Sequence, residues 1–224
     1  MIYILDTADI NAIKHCSEFY PLAGVTTNPS IISKEKTDFW KLVSEIRSVI
    51  GNEKMLHVQT VQKDAEKIVE EAKLLKKELG DETYIKIPVC EEGLKACRIL
   101  KELNIKTTVT AIFTPTQALI AAAAGASFVA PYVNRIDNIA GDGCGVVGDI
   151  ASQLETYGYN CRVLAASFKN VEQVNRCASA GCHSVTVSPD IMKLMISHPL
   201  TDAALLGFER DWKEAYDEKT ILDF

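Results

Sequence analysis

The stretch Tyr84-Ile85-Lys86-Ile87-Pro88 sets one lysine inside an apolar run that alternates with the period of a β-strand. Tyr84, Lys86 and Pro88 share one face, and the two isoleucines between them share the other. Burial disfavours the ammonium form, so a lysine near the end of a buried strand is costly unless its charge is paired or its amine is used in chemistry. A structural explanation, in which Lys86 reaches out to water or pairs with a carboxylate, stays open at this point.

Short apolar runs and longer amphipathic segments alternate along the whole chain. The predicted strands are 2–5, 23–26, 55–59, 84–87, 107–110, 128–131, 162–165 and 184–187. The predicted helices between and after them are 9–19, 39–50, 63–79, 91–103, 115–124, 145–157, 171–180 and 189–197. Strict alternation implies an α/β protein with parallel strands joined by right-handed crossovers. Eight such units in about 200 residues favour a closed (β/α)8 TIM barrel over an open sheet.

Length and composition are those of an ordinary globular protein. The chain has 224 residues, of which 47% are hydrophobic and 24% charged, and we expect residues 1–224 to form a single barrel domain. A net charge of −6 provides no general basic field for nucleic acid or an acidic membrane, so an anionic substrate must be held by a local site. The N-terminus lacks a signal-peptide pattern and no apolar run reaches about 18 residues, which predicts a cytoplasmic protein that does not span a membrane.

Cysteine and histidine spacing gives no indication of a metal site. The seven cysteines are scattered and never spaced as CxxC, and the four histidines form no HxH or HExxH motif. We therefore expect reduced thiols, no structural metal and no cofactor. The run from Gly143 to Gly148 matches GxGxxG, but it follows a polar loop rather than a strand. We interpret it as a glycine-rich turn that opens a helix, not as a dinucleotide site.

A final helix is predicted at about 201–217, with Thr201 and Asp202 as its cap. Its apolar residues are Leu205, Leu206, Phe208, Trp212 and Tyr216. Such a stripe would suit packing against the barrel floor as well as packing against a neighbouring subunit, and the sequence leaves both open.

Polar residues end nearly every predicted strand. The C-terminal ends of barrel strands meet at one rim, where active sites of this fold are built. The residues that reach this rim are Asp6, Thr26, Asn28, Gln59, Lys86, Thr110, Tyr132, Asn134, Arg135, Ser167, Lys169 and Ser188. Taken singly, each has a structural explanation: Asp6 could cap the next helix, Asn28 could form a turn, and Thr110 could bond to backbone. Their coincidence around one lysine favours an active site.

A lysine in such a ring can form a Schiff base with a ketone, whose iminium then draws electrons from a neighbouring carbon-carbon bond. An apolar strand must lower the lysine pKa for this to work at neutral pH. Asp6 could move protons or order a water, Tyr132 could act as acid/base on the hydroxyl being cleaved, and Gln59 with Thr110 could hold a water.

Arg135 and Ser167 end neighbouring strands and would make a phosphate clamp, because a guanidinium fork would lie beside a hydroxyl and helix amides. The structural alternative for Arg135 is a salt bridge to Asp137 or to another acid at the rim.

The segments Asp6-Thr7-Ala8, 24–30, 85–89, 131–137 and 165–168 together resemble the small transaldolase-like family, which contains short transaldolases and fructose-6-phosphate aldolases. The resemblance covers essentially the whole chain. It implies a barrel, a Schiff-base lysine at Lys86, and ring-like homo-oligomers, pentamers or decamers, in which the C-terminal helix reaches a neighbour. It also gives Asp6, Asn28 and Thr110 places in the active site, and makes Arg135 and Ser167 the phosphate-binding pair.

Gln59 and Tyr132 distinguish the two activities within this family. Its transaldolases resemble one another in having glutamate and phenylalanine there, and its aldolases have glutamine and tyrosine, as this chain does. The resemblance therefore implies reversible cleavage of fructose 6-phosphate to dihydroxyacetone and glyceraldehyde 3-phosphate. The alternatives are a transaldolase and a catalytically silent barrel that serves as an oligomeric scaffold. Cys90 departs from the family, whose members often carry threonine there, and we expect an altered entrance at most.

Overall fold

Eight parallel strands close into a barrel in chain order, and the first strand pairs with the last to complete it. The computed structural model describes all residues from 1 to 224. The strands are β1 (Ile2–Asp6), β2 (Gly24–Thr26), β3 (Met55–Gln59), β4 (Thr83–Pro88), β5 (Thr107–Ile112), β6 (Phe128–Pro131), β7 (Arg162–Ala165) and β8 (Ser184–Val187). The predicted (β/α)8 TIM barrel is therefore confirmed.

Helices follow the strands and cover the outside of the barrel. They are α1 (Ile10–Phe19), α2 (Pro29–Lys34), α3 (Phe39–Ile50), α4 (Ala65–Leu79), α5 (Glu91–Glu102), α6 (Pro115–Ala123), α7 (Val133–Asp137), α8 (Gly143–Thr156), α9 (Val171–Ser179), α10 (Pro189–Leu194) and α11 (Pro199–Tyr216). Side-chain caps set most helix starts; the Asp64 carboxylate, for example, accepts a hydrogen bond from the Lys67 amide at 3.0 Å. None of these helices combines the length and the apolar character that a membrane crossing requires.

Alternation along the strands separates two apolar cores. On the outside, Ile85 and Ile87 of β4 belong to a cluster of 49 buried residues between strands and helices. Inside the barrel, a smaller cluster consists of Ile4, Tyr84, Phe128, Ala130 and Leu164. Tyr84 precedes Lys86 by two residues on the same face, so the inner cluster lies beneath the lysine. The upper part of the barrel interior is left to polar side chains.

Two short helices, α2 and α7, were not predicted from the sequence. They have six and five residues, which is too short to show a helical period. The start signal of α2 was nevertheless present, because Asn28 accepts a hydrogen bond from the Ile31 amide at 2.9 Å and Pro29 occupies the first helical position. Each helix directly follows a strand end, so the two helices position residues at the rim.

Helix α8 begins at Gly143, two residues before the predicted start, and is capped by Asp142. A Cβ atom at Gly143 would lie 2.4 Å from the Val133 carbonyl oxygen, so α8 passes close to α7 only because this residue is glycine. The residues before Gly143 form a turn rather than a strand. The GxGxxG run opens α8 as predicted, but it is helical from Gly143 onward rather than a turn before the helix.

Helix α11 begins at Pro199, two residues before the predicted start, and the predicted cap at Thr201 and Asp202 is wrong. His198 is the cap, and its Nδ1 accepts a hydrogen bond from the Leu200 amide at 3.1 Å. A proline at the first helical position needs no amide partner, which allows the earlier start. Helix α11 contributes no buried residue, so it does not close the barrel floor of its own chain.

Candidate active site

A cavity of about 750 Å³ opens where the strands end. All nine side chains proposed from the sequence line it: Asp6, Thr26, Asn28, Gln59, Lys86, Thr110, Tyr132, Arg135 and Ser167. They come from seven of the eight strands or the loops that follow them, so only barrel closure brings them together.

Lys86 extends from β4 into this cavity and is 5% exposed. Its Nζ donates a hydrogen bond to the Thr27 carbonyl oxygen at 2.7 Å and makes no ion pair. Burial lowers the pKa of Lys86, and the nearby charge of Asp6 partly opposes this shift. The structural readings, in which the lysine reaches bulk water or pairs directly with a carboxylate, are therefore wrong. A buried amine with a lowered pKa is a better nucleophile near neutral pH.

Asp6 ends β1 and faces the cavity. Its Oδ1 accepts a hydrogen bond of 2.6 Å from the Thr26 hydroxyl, which also lies 2.6 Å from the Thr186 hydroxyl. Burial raises the pKa of Asp6, while the charge of Lys86 and the bond from Thr26 lower it. The capping role considered for Asp6 belongs to Asp9, which accepts from two amides in the first turn of α1 at 2.9 and 3.1 Å. Asp6 is thus left for the cavity.

Thr110 and Tyr132 form a hydroxyl pair on the opposite wall. The Thr110 hydroxyl donates to Tyr132 Oη at 3.0 Å, so the Thr110 side chain does not bond to backbone. A bulge next to Thr110 sets this geometry, because Ala111 adopts a φ of +60° and the register against β6 shifts there. The shift turns Ile112 outward into the large core, where it is fully buried.

Arg135 lies over the Tyr132 ring, with its Cζ 4.8 Å from the ring centroid, and makes no ion pair. The salt bridge considered from the sequence, to Asp137 or to another acid at the rim, is therefore not formed. Asp137 instead accepts a hydrogen bond from the Gly143 amide at 2.8 Å and another from the Gln173 side chain at 2.7 Å. The Arg135 guanidinium is exposed at the mouth and can take up an anion.

Ser167 follows β7 with a φ of +64°, a left-handed conformation that is uncommon outside glycine. Two backbone bonds join its segment to α7: the Asn134 amide donates to the Ser167 carbonyl, and the Val133 amide donates to the Ala166 carbonyl, both at 3.0 Å. These bonds hold the Ser167 segment beside the helix that carries Arg135. Non-glycine residues in this region of φ often mark functional sites.

Asn28 combines a structural and a cavity-facing position. Its Oδ1 caps α2, while its amide N–H groups remain available at the cavity wall. Gln59, at the end of β3, lines the same wall. Cys90 lies outside the cavity lining and instead caps α5, because its Sγ accepts from the Gly93 amide at 3.4 Å.

Several lining groups were not proposed as site residues. Thr186 lines the cavity and contacts the Thr26 hydroxyl that bonds to Asp6, and the Thr27 carbonyl, outside the lining, accepts from Lys86. Lys34 reaches the mouth from α2, a helix too short to show a helical period in the sequence. The mouth carries Lys34, Arg135 and Lys169 against one carboxylate, Asp190, and is locally cationic in an acidic chain. No group of three or more His, Cys, Asp or Glu side chains is placed to hold a metal ion.

The chain matches solved barrel structures at low sequence identity. A flavocytochrome b2 with sulfite bound superimposes with a TM-score of 0.61 at 11% identity over 84% of this chain, which spans 56% of that longer protein. A native KDPGal structure superimposes with a TM-score of 0.58 at 18% identity, covering 84% of this chain and 82% of that one. At these identities the likeness concerns the fold alone.

The family comparison is more specific. Residues 3–222 match the model described as transaldolase/fructose-6-phosphate aldolase, which is nearly the entire chain. The match includes every strand end that contributes to the cavity. The buried lysine at the centre of the barrel therefore belongs to a member of the transaldolase/fructose-6-phosphate aldolase family, an enzyme of the aldolase and transaldolase class.

Proposed function

We propose that this protein is a cofactor-free class I aldolase that reversibly cleaves fructose 6-phosphate to dihydroxyacetone and glyceraldehyde 3-phosphate. The observation that carries the proposal is the Thr110 to Tyr132 hydroxyl bond in the same cavity as the buried Lys86 amine. A phenol held there can exchange a proton with a substrate hydroxyl. The phenylalanine expected of a transaldolase could not do so.

The reaction begins when the neutral Lys86 amine attacks the C2 carbonyl of the open-chain ketose. The carbinolamine loses water to give a protonated imine, and Asp6 serves as the proton carrier for that step because its carboxylate shares the cavity with the lysine. Tyr132 then takes the proton of the C4 hydroxyl as the C3–C4 bond breaks and passes its own phenolic proton to a water in the cavity. The electron pair of that bond moves to the iminium nitrogen, which yields an enamine and releases the aldehyde.

The enamine is resolved by protonation and hydrolysis. A proton returned to C3 regenerates the imine, and water adds to C2 to release dihydroxyacetone and the free Lys86 amine. Gln59 and Thr110 line the cavity from β3 and β5 and hold this water in the proposal. Thr26 fixes Asp6, and Asn28 binds substrate hydroxyls through its free amide hydrogens.

Arg135 and Ser167 bind the substrate phosphate in this proposal. The exposed guanidinium without an ion pair and the neighbouring hydroxyl fit a dianionic group, and the cationic mouth attracts it. The clamp accounts for a sugar-phosphate substrate in an acidic protein.

Borohydride reduction in the presence of dihydroxyacetone, followed by mass mapping, tests the imine. We expect an adduct on Lys86. The absence of an adduct would contradict both the aldolase and the transaldolase hypotheses and would leave the catalytically silent scaffold protein as the remaining hypothesis. Release of free dihydroxyacetone from fructose 6-phosphate without an acceptor supports the aldolase. Transfer that occurs only when erythrose 4-phosphate is added supports the transaldolase.

Tyr132→Phe tests the acid/base role. We expect aldol cleavage to fall by about 100-fold while adduct formation with dihydroxyacetone changes little, because only cleavage needs the phenolic proton. Thr110→Val is the matched variant, since it removes the partner of the phenol and keeps the phenol itself. Equal losses of cleavage and adduct formation in Tyr132→Phe would contradict the role.

We also propose a cytoplasmic homo-oligomer, a ring of five or ten subunits, in which α11 packs on a neighbour. Support comes from the apolar residues Leu205, Leu206 and Phe208, each at least 60% exposed on α11. The seven unpaired cysteines suit a reducing compartment. Light scattering of the wild type and of Leu206→Asp is the test, with Glu214→Gln on the same helix as the control. A monomeric wild type would reject the oligomer.

A further inference from the structure

Gln173 is a buried amide in the first turn of α9, with 8% of its surface exposed. Its Nε2 donates to Asp137 Oδ2 at 2.7 Å and to Asn134 Oδ1 at 3.3 Å. Its Oε1 accepts from the Lys169 amide at 2.8 Å. The Asn170 cap holds the Gln173 backbone amide at 2.9 Å. The side chain thus contacts two chain segments besides its own helix.

Those two segments carry the proposed phosphate pair. Arg135 lies between Asn134 and Asp137 in α7, and Ser167 lies two residues before Lys169. Gln173 makes no hydrogen bond to Arg135 or Ser167 itself. The amide therefore acts as a brace behind the clamp, and it supplements the two backbone bonds that the Val133 and Asn134 amides donate to the Ala166 and Ser167 carbonyls.

The position requires a group that donates and accepts at once. Asp137 needs a donor for its Oδ2, since its Oδ1 already accepts from the Gly143 amide, and the Lys169 amide needs an acceptor. A glutamine meets both requirements in a buried place, whereas an apolar side chain would leave a carboxylate oxygen and an amide unpaired. A glutamate would accept from Lys169 but would face Asp137 with a second carboxylate.

We propose that Gln173 is a positioning residue for the phosphate end of the substrate. It fixes the spacing between Arg135 and Ser167 and so sets the preference for phosphorylated over unphosphorylated aldehydes, without touching substrate. This inference rests on the proposed phosphate clamp. It adds a residue that lies outside the cavity lining.

The test compares aldol addition of dihydroxyacetone to D-glyceraldehyde 3-phosphate and to D-glyceraldehyde in the full-length protein. For Gln173→Leu and Gln173→Glu we expect the ratio of kcat/KM between the two aldehydes to fall about 10-fold, mainly through KM for the phosphorylated one. The kcat/KM for D-glyceraldehyde and the yield of the borohydride adduct on Lys86 should both stay within about twofold of wild type, because only the phosphate clamp is disturbed. Glu172→Gln, exposed on the same helix, is the matched control and should leave the ratio unchanged.

Arg135→Leu distinguishes a failure of the proposed phosphate clamp from a failure of the proposed role of Gln173. If Arg135→Leu lowers the ratio and both Gln173 variants leave it unchanged, the clamp stands and the brace is overturned. Equal losses with both aldehydes in the Gln173 variants also overturn the brace, since they indicate a structural role only. An unchanged ratio in Arg135→Leu rejects the clamp, and the brace with it. Inhibition by inorganic phosphate should weaken in parallel with the ratio in the Gln173 variants, and strong inhibition retained there would count against the proposal.

Discussion

His57 is the group inside the barrel whose titration should govern stability in weak acid. It is fully buried on β3, with its ring stacked on Tyr84 at a centroid distance of 4.7 Å. Its Nδ1 lies 2.9 Å from the Thr108 hydroxyl, and its Nε2 has no hydrogen-bond partner. Burial, and secondly the charge of Lys86, hold the pKa of His57 well below its usual 6.5. The perturbation is His57→Phe, which keeps a ring and removes the titration.

The sign and size of the effect follow from linkage. The unfolded chain takes up a proton at His57 below about pH 6.5 and the folded chain does not, so stability falls as the pH decreases. One such histidine lowers the free energy of unfolding by about 1.4 kcal/mol at pH 5.5 and about 2 kcal/mol at pH 5.0. The variant should lack this loss. At pH 7.5, removing the unpaired Nε2 should raise the free energy of unfolding by about 1–3 kcal/mol, and leaving the Thr108 hydroxyl unpaired should lower it by about the same amount. The wild type and the variant should therefore be similarly stable at this pH.

Urea unfolding at fixed protein concentration, between pH 5.0 and 7.5, measures this difference. Asp6 and Lys86 also titrate differently on folding, but both are present in the two proteins and cancel in the comparison. His15→Gln on the exposed face of α1 is the control, and this variant should lose as much stability as the wild type when the pH is lowered. A His57→Phe protein that loses as much stability as the wild type between pH 7.5 and 5.0 would refute the reasoning.

Two further predictions concern the strand that carries the lysine. In Asp6→Asn, the pH midpoint for borohydride trapping of the dihydroxyacetone imine should move to lower pH, because the Asp6 charge raises the pKa of Lys86; a shift to higher pH would contradict this coupling. Gly93→Ala should lower the free energy of unfolding by about 1–3 kcal/mol in urea titrations, since its Cβ would lie 2.2 Å from the Pro88 carbonyl oxygen. Gly207→Ala, where nothing lies within 4 Å, is the control and should stabilise α11 by up to about 1 kcal/mol; equal destabilisation of both variants would argue against the contact.

The sequence alone predicted the barrel and the composition of the rim. Strand positions follow from apolar alternation, a local property, and the polar residues that end the strands share one rim in any closed parallel barrel. Lys86 could be singled out because an apolar strand around a lysine is costly without a use for the amine. Six-residue and five-residue helices at 29–34 and 133–137 were missed because a period needs more residues than these helices contain.

The hydrogen-bond and ion-pair partners of the side chains at the rim were decided only by the tertiary structure. The capping role open to Asp6 went to Asp9, and the ion pair open to Arg135 and Asp137 was lost because Gly143 and Gln173 satisfy that carboxylate. Such competition depends on distances between segments far apart in sequence, which local patterns do not contain.

The bulge at Ala111 and the brace at Gln173 likewise arise from packing between neighbouring strands and helices. The sequence therefore determined which chemistry was available, because residue types and strand ends are local. The closed barrel determined which side chains were free to perform it, because hydrogen-bond partners are assigned across the fold.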